Sequence, residues 1–142
     1  MVEHSFIHLQ TEKYNEWILI TKELKKILSK SEIQNGIMYV ISRHTTTGVT
    51  VNEALECLES DLHDMLERLI PEDHPYAHAR MLSAYGSTAG NPTGHLKSHL
   101  TGNHCVLPII AGSISKGDAQ EIYFCEFDGP ASRNITVTII GE

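Results

Sequence analysis

Ile37-Met38-Tyr39-Val40-Ile41-Ser42-Arg43-His44-Thr45-Thr46-Thr47-Gly48-Val49-Thr50-Val51-Asn52-Glu53 is the stretch on which the fold depends. Its first half is an apolar run rich in β-branched residues, which predicts a strand. Its second half gathers an imidazole, four threonine hydroxyls, an amide and a carboxylate at the end of that strand. Two interpretations fit this pattern: a threonine-rich strand with one solvated face, or part of a functional site.

The composition favours one globular domain spanning residues 1–142. Hydrophobic residues make up 41% of the chain and charged residues 20%, so a well-formed core is expected. The net charge of −7, with no basic stripe, argues against nucleic-acid binding. No apolar run approaches the roughly 20 residues that cross a bilayer, and the N-terminus lacks the pattern of a signal peptide. The three cysteines form no CxxC pair. We therefore expect a cytoplasmic protein with neither a disulfide framework nor a cysteine-based zinc site.

Hydrophobic periodicity predicts an α+β fold. Strands are predicted at 5–10, 16–20, 37–43, 104–110, 120–127 and 134–140. Helices are predicted after Thr21 as N-cap, over 58–69 and over 93–100, where Asn91-Pro92 supplies an N-cap and first residue. This order predicts a mixed or antiparallel, sandwich-like sheet with two to three packed helices. Residues 71–92 lack periodicity, and a loop of that length is usually functional or mobile.

Histidines supply the first candidate chemistry. His95 and His99 lie four apart on a predicted helix and so share a face, as metal-binding pairs do. Alternatively, His95 joins His44 and His78 in a three-imidazole site with open positions for water or substrate, the usual arrangement of catalytic zinc. The residues alone leave both groupings open, as well as solvated histidines.

Two carboxylates are the second candidate for a chemical role. Glu126 and Asp128 alternate at the end of a predicted strand and so point to the same face. Together they could act as a general base or bind a divalent cation. The alternative is that Asp128 only organises the turn formed with Gly129 and Pro130.

The sequence resembles the YjbQ-like family over residues 36 to 141. The motifs that carry the resemblance are His44-Thr45-Thr46-Thr47-Gly48-Val49 with Asn52-Glu53, Tyr76-Ala77-His78, Asn91 with His95-Leu96-Lys97, Gly102, Pro108, Gly117 to Ile122, Glu126-Phe127-Asp128-Gly129-Pro130 and Arg133. The family's motif histidines fall on His44, His78 and His95, and not on His99. Asp118-Ala119 and Ala131 depart from the pattern, where the family tends to have Thr-Trp and Arg.

The resemblance implies a small α+β fold, a homotrimer and a secondary thiamine-phosphate synthase activity. That activity joins a pyrimidine diphosphate to a thiazole phosphate and releases pyrophosphate. The alternatives are a metal-dependent hydrolase at the same site and a non-catalytic oligomeric protein that binds a metal or an anion.

Combining the motifs with this resemblance, we expect a metal-binding enzyme that acts on a small phosphorylated molecule. Zinc is the favoured metal because imidazole suits it, with magnesium as the alternative. The expected ligands are His44, His78 and His95. The expected catalytic residues are Glu126, Asp128 and Glu53. The expected substrate-binding residues are Thr45, Thr46, Asn91, Lys97 and Arg133.

Overall fold

A computed structural model describes residues 1–80 and 91–142, with the side chain of Arg80 excepted. In chain order the elements are β1 Val2–Gln10, β2 Glu16–Leu19, α1 Thr21–Ser29, β3 Gly36–Ser42, β4 Thr47–Asn52, α2 Glu56–Leu69, α3 Ala77–Arg80, α4 Pro92–Thr101, β5 His104–Ile110, β6 Ser113–Ile114, β7 Glu121–Glu126 and β8 Ser132–Gly141. Part of the predicted loop at 71–92 lies outside the described residues.

The strands form two antiparallel sheets. One has the order β1-β8-β3-β5-β6 and the other the order β2-β7-β4. The stretch of residues 37–53 is therefore divided between the sheets, with β3 in the first and β4 in the second. Residues 43–46 carry the chain across, and the hydroxyls of Ser42 and Thr47 close the crossing at 2.6 Å. The predicted α+β fold with antiparallel, sandwich-like sheets is confirmed, and the described residues form four helices where two to three were predicted.

The main core lies between the two sheets and under α1. It is built from alternate residues of the strands, because successive side chains of a strand point to opposite faces. Its fully buried members are Leu24, Ile33, Met38, Val40, Ile122, Phe124, Ile135 and Val137.

The strand β7 is buried on both faces, which explains its uninterrupted apolar run. Ile122 and Phe124 face the main core, whereas Tyr123 and Cys125 pack with Leu66 of α2 in a second cluster. Trp17 meets Tyr123 edge to face, with ring centroids 6.3 Å apart. A strand held this firmly gives the residues at its C-terminal end a fixed position.

The predicted start of α1 was wrong in one respect. Thr21 is the first residue of the helix and Ile20 occupies the N-cap, with no side-chain capping bond. The Thr21 hydroxyl instead accepts the backbone N–H of Ile122 at 2.9 Å, which ties the helix to β7. Among the described residues, no helix is long and apolar enough to cross a membrane.

Candidate functional site

The start of α4 is fixed against the end of β7 by Gly94. A Cβ at this position would lie 2.9 Å from the Phe127 carbonyl oxygen and 3.2 Å from Cγ2 of Thr46, so a side chain would force the helix outward. His95, the next residue, is consequently held beside the β3–β4 crossing. Its Nδ1 lies 3.2 Å from the Thr45 carbonyl oxygen. Since a carbonyl only accepts, Nδ1 carries the proton and the neutral ring presents its lone pair at Nε2.

His78 is held by a chain of two hydrogen bonds. Asn91 donates from Nδ2 to the Asp128 carboxylate at 2.7 Å, which turns its Oδ1 toward Nε2 of His78 at 3.1 Å. The amide oxygen can only accept, so Nε2 of His78 is the donor. Asn91 occupies the predicted N-cap position of α4, but its side chain makes no capping bond. The amide serves the site instead of the helix.

His78 and His95 lie side by side. Their ring centroids are 5.1 Å apart with an interplanar angle of 85°. One ring comes from α3 and the other from α4, two helices that flank the part of the chain outside the described residues. The structure thus brings two of the three predicted ligands together.

His44 is engaged differently. Its Nε2 accepts the backbone N–H of Asn134 at 2.8 Å. A neutral imidazole has one lone pair and one N–H, so the bond uses the lone pair and leaves the proton on Nδ1. Burial, followed by the charge of Arg133, lowers the pKa of His44 and so favours this neutral form. In this arrangement the lone pair of Nε2 is engaged by the backbone and the N–H of the ring is at Nδ1.

Two clefts meet at His95, the one described residue that lines both of them. The first, of about 420 Å³, is mainly apolar and is lined by Tyr76, Ala77, His78, Pro92, His95 and Leu96. The second, of about 370 Å³, is polar and is lined by His44, Thr45, His95, Ser98, His99, Gly102 and Asn103. We call them the apolar cleft and the polar pocket. Small-molecule sites combine such apolar walls with a few polar groups.

Glu126 and Arg133 form a buried ion pair. Arg133 donates from Nε to one carboxylate oxygen at 2.7 Å and from Nη2 to the other at 2.6 Å. Thr11 donates to the first oxygen at 2.7 Å and the Asp128 amide to the second at 3.0 Å. Burial alone would raise the pKa of Glu126, but these hydrogen bonds outweigh it and lower the pKa. The ionised form of Glu126 is therefore favoured, and each residue of the pair is the other's partner.

Other predicted residues also lie apart from the clefts. Lys97 is 1% exposed and donates to the Glu67 carboxylate at 2.6 Å. The Thr46 hydroxyl is buried and accepts from Arg133 at 3.1 Å. Glu53 is exposed just beyond β4 and lines neither cleft. These residues serve the packing around the site or lie outside it.

Thr45, Asn91 and Asp128 remain with the site. Thr45 lines the polar pocket and orients His95 through its carbonyl oxygen, whereas Asn91 and Asp128 orient His78. No motif in the sequence indicated Ser98 or Asn103 as site residues. His99 was predicted only as a partner for His95 on the same face of the helix.

The described residues contain no group of three histidine, cysteine, aspartate or glutamate side chains that could hold a metal ion. The metal prediction is thus reduced to the pair His78 and His95. The departures Asp118 and Ala119 lie exposed in the β6–β7 turn and line neither cleft.

Comparison with known proteins gives a consistent result. The family model described as UPF0047 protein YjbQ-like matches residues 5–142. A UPF0047 protein of Methanothermobacter thermautotrophicus is 37% identical over 134 residues, covering 94% of this chain and 89% of the relative. YugU of Bacillus subtilis, another UPF0047 protein, is 32% identical over 135 residues, covering 95% of this chain and 97% of the relative.

A solved structure extends this likeness to the fold. A protein of unknown function from Sulfolobus solfataricus P2 superposes with a TM-score of 0.91 at 29% identity, covering 100% of this chain and 99% of the other. Family model, relatives and structure agree over nearly the whole length. The chain therefore belongs to the YjbQ-like family of UPF0047 proteins.

Proposed function

We propose that this protein is an enzyme that acts on a small phosphorylated molecule at the junction of the apolar cleft and the polar pocket. The observation that carries the proposal is the pair His78 and His95, held 5.1 Å apart at that junction by partners that fix both rings. Reactive side chains need this kind of orientation by a supporting shell. Glu126, Arg133 and Lys97, which the sequence favoured for chemistry, are already paired with one another or with Glu67.

The pair fits a divalent metal. Two imidazoles bound to one tetrahedral zinc ion at about 2.0–2.1 Å have ring centres roughly 5 Å apart, close to the separation of His78 and His95. Ligating histidines usually donate their other N–H to a carbonyl or carboxylate. His95 donates to the Thr45 carbonyl, and His78 to the Asn91 amide that Asp128 holds. Zinc is favoured over magnesium because both ligands are nitrogens.

A metal on this pair would neutralise negative charge on phosphate oxygens. The other contributions come from the chain itself. The walls of the apolar cleft bind a flat apolar group and exclude water, whereas Asp128 and Asn91 keep the proton on Nε2 of His78. His44 does not fit the ligand set, because its lone pair accepts the Asn134 amide.

Two clefts that share one residue favour a reaction between two molecules. We propose a transferase of the secondary thiamine-phosphate synthase type, in which a pyrimidine diphosphate and a thiazole phosphate meet near His95. A hydrolase needs only one bound organic molecule and a water, so the second cleft gives it less support. The two-cleft arrangement around His95 is the specific feature on which this preference depends.

The test measures product and pyrophosphate when the protein is supplied with both thiamine precursors and zinc or magnesium. Wild type and His63→Ala should form thiamine phosphate, and His95→Ala should not. His63 is a suitable control because it is a helical histidine that lines neither cleft. Phosphate release without a joined product would instead identify a hydrolase. No turnover on either substrate, with metal still bound, would contradict an enzymatic role and favour the non-catalytic alternative.

A homotrimer is part of the proposal. The face of the five-stranded sheet that points away from the core carries exposed apolar side chains, including Phe6 at 52% and Ile110 at 58% exposure. Apolar side chains gathered on one face favour contact with further copies. Light scattering should give three times the monomer mass for wild type, and Ile110→Asp should lower that mass. A monomeric wild-type protein would contradict this part of the proposal.

A further inference from the structure

None of the described residues that line the polar pocket carries a carboxylate, although the protein has 18 acidic residues and a net charge of −7. It lies between the β3–β4 crossing and the last turn of α4. Of its seven described lining residues, three are histidines and three others carry a hydroxyl or an amide: His44, His95 and His99 with Thr45, Ser98 and Asn103. A lining without carboxylates is unusual for so acidic a protein and suits an anionic ligand, which it does not repel.

Two of the lining side chains are oriented as hydrogen-bond donors. Nε2 of His44 accepts the Asn134 N–H at 2.8 Å, which leaves Nδ1 as its N–H donor. Asn103 is turned by His104, whose Nδ1 lies 2.8 Å from Oδ1 of Asn103. The acceptor end of that amide is therefore engaged, and its NH₂ group provides the donors on the other side.

A cation does not explain the pocket equally well. Three histidines line it, yet no group of three metal-ligating side chains in residues 1–80 and 91–142 could hold a metal ion. The lone pair of His44 is used, so this ring has a proton to offer rather than a lone pair. Burial is the main cause of the lowered pKa of His44; the charges of Arg133 and Arg43 add to it, and that of Glu126 opposes it. The N–H groups that His44 and Asn103 retain favour an anion, because hydrogen bonds to a charged acceptor are the stronger ones.

The backbone leaves room for such a ligand. Gly102 lines the pocket with φ of +89°, a conformation that glycine adopts readily, and a Cβ built there meets nothing within 4 Å. The Gly102 N–H is taken by the Ser98 carbonyl at 2.9 Å, so the helix end itself offers no donor at this residue. Binding must come from the side chains around it.

We infer that the polar pocket binds a small oxyanion, the phosphate or carboxylate group of the substrate, through His44, His99 and Asn103. The inference that the pocket binds an oxyanion depends only on the residues that line the pocket. The further step, that this oxyanion is a group of the substrate, rests on the proposed function. The apolar cleft on the other flank of His95 then takes the uncharged part of the same or a second molecule. The polar pocket thus recognises the anionic group of the substrate, and the apolar cleft recognises its uncharged part.

The experiment titrates inorganic phosphate and, separately, acetate into zinc-free protein at pH 6.5, following histidine ring signals by NMR. His99→Ala and Asn103→Ala are compared with wild type and with His63→Ala. His99 and Asn103 are exposed, so their replacement should leave the fold intact, which circular dichroism checks. Loss of one charge-assisted hydrogen bond should weaken binding by about tenfold or more in each pocket variant and leave the His63 variant unchanged.

Preference for phosphate would identify a phosphate group as the natural ligand, and preference for acetate a carboxylate. Absence of binding to wild type would overturn the inference, and so would an affinity of His99→Ala and Asn103→Ala equal to that of wild type. Phosphate binding without turnover of any precursor would overturn the proposed function alone. Turnover with phosphate binding unaffected by the two pocket substitutions would overturn the pocket assignment alone.

Discussion

Replacing Glu126 with Gln decides whether this carboxylate performs chemistry or holds the fold. Glu126 is 0% exposed, and its two oxygens accept four hydrogen bonds, two from Arg133 and one each from Thr11 and the Asp128 amide. Glutamine keeps one acceptor oxygen and places an NH₂ group against the remaining donors. Arg133, which is 8% exposed, loses its counter-charge.

Removing one partner of a buried ion pair costs about 3–5 kcal/mol. Domains of this kind are stable by about 5–15 kcal/mol, so Glu126→Gln should lose a large part of the free energy of unfolding. Urea unfolding followed by fluorescence of Trp17 measures it. Glu121→Gln is the matched control on the same strand, because the carboxylate of Glu121 lies 4.0 Å from Lys116 in a partly exposed pair and should contribute less than about 1 kcal/mol.

The pH dependence gives a second readout. The pKa of Glu126 is lowered in the folded state, so its contribution to stability is present above the unfolded value of 4.5 and is lost as the pH falls through the folded value. Glu126→Gln should flatten that acid limb. The double variant Glu126→Gln/Arg133→Met should be less destabilised than the sum of the single variants, since no unpaired charge remains. Wild-type stability in Glu126→Gln, with turnover abolished, would refute this account and restore the catalytic role.

Three further predictions concern other residues around the site. Gly94→Ala should lower the free energy of unfolding by about 1–3 kcal/mol, because the added Cβ would meet the Phe127 carbonyl. Gly117→Ala, in an exposed turn, should not lower it, and equal stability of the two variants would contradict the packing argument. Between about pH 6.5 and the acid range in which Glu126 titrates, lowering the pH should destabilise wild type more than His44→Gln, because the lowered pKa of His44 means that the unfolded state binds more protons than the folded state. An unchanged slope of stability against pH in the variant would contradict this. Lys97→Met should keep turnover and phosphate affinity within about twofold of the wild-type values, because Lys97 pairs with Glu67. Loss of phosphate binding in this variant would instead support the predicted role of Lys97 in substrate binding.

The strands and the fold class could be predicted because alternation within a strand is a local signal. The division of one stretch between two sheets could not. β3 pairs with β8 and β5, whereas β4 pairs with β7, and these partners lie far along the chain. No pattern within residues 37–53 indicates with which distant strand each half will pair.

The candidate site was predicted by residue type more than by role. Glu126 and Arg133 have the right chemistry for catalysis and phosphate binding, but the turn between β7 and β8 brings them against each other. The lone pair of His44 is taken by the backbone of Asn134, a partner that carries no side-chain signal. Asn91 was correctly predicted as the N-cap residue of α4, but its side-chain amide bonds to Asp128 and His78 instead of capping the helix. Roles depend on long-range contacts.

The central claim is that His78 and His95 form the reactive pair and that His44 is held by the backbone. The most direct measurement follows the ring nitrogens of all histidines by ¹⁵N NMR while zinc is added to the protein. We expect Nε2 of His95 and a ring nitrogen of His78 to move to the shifts of coordinated nitrogen, whereas His44 should keep its proton on Nδ1. Coordination of His44, or binding of zinc without any change at His95, would contradict it.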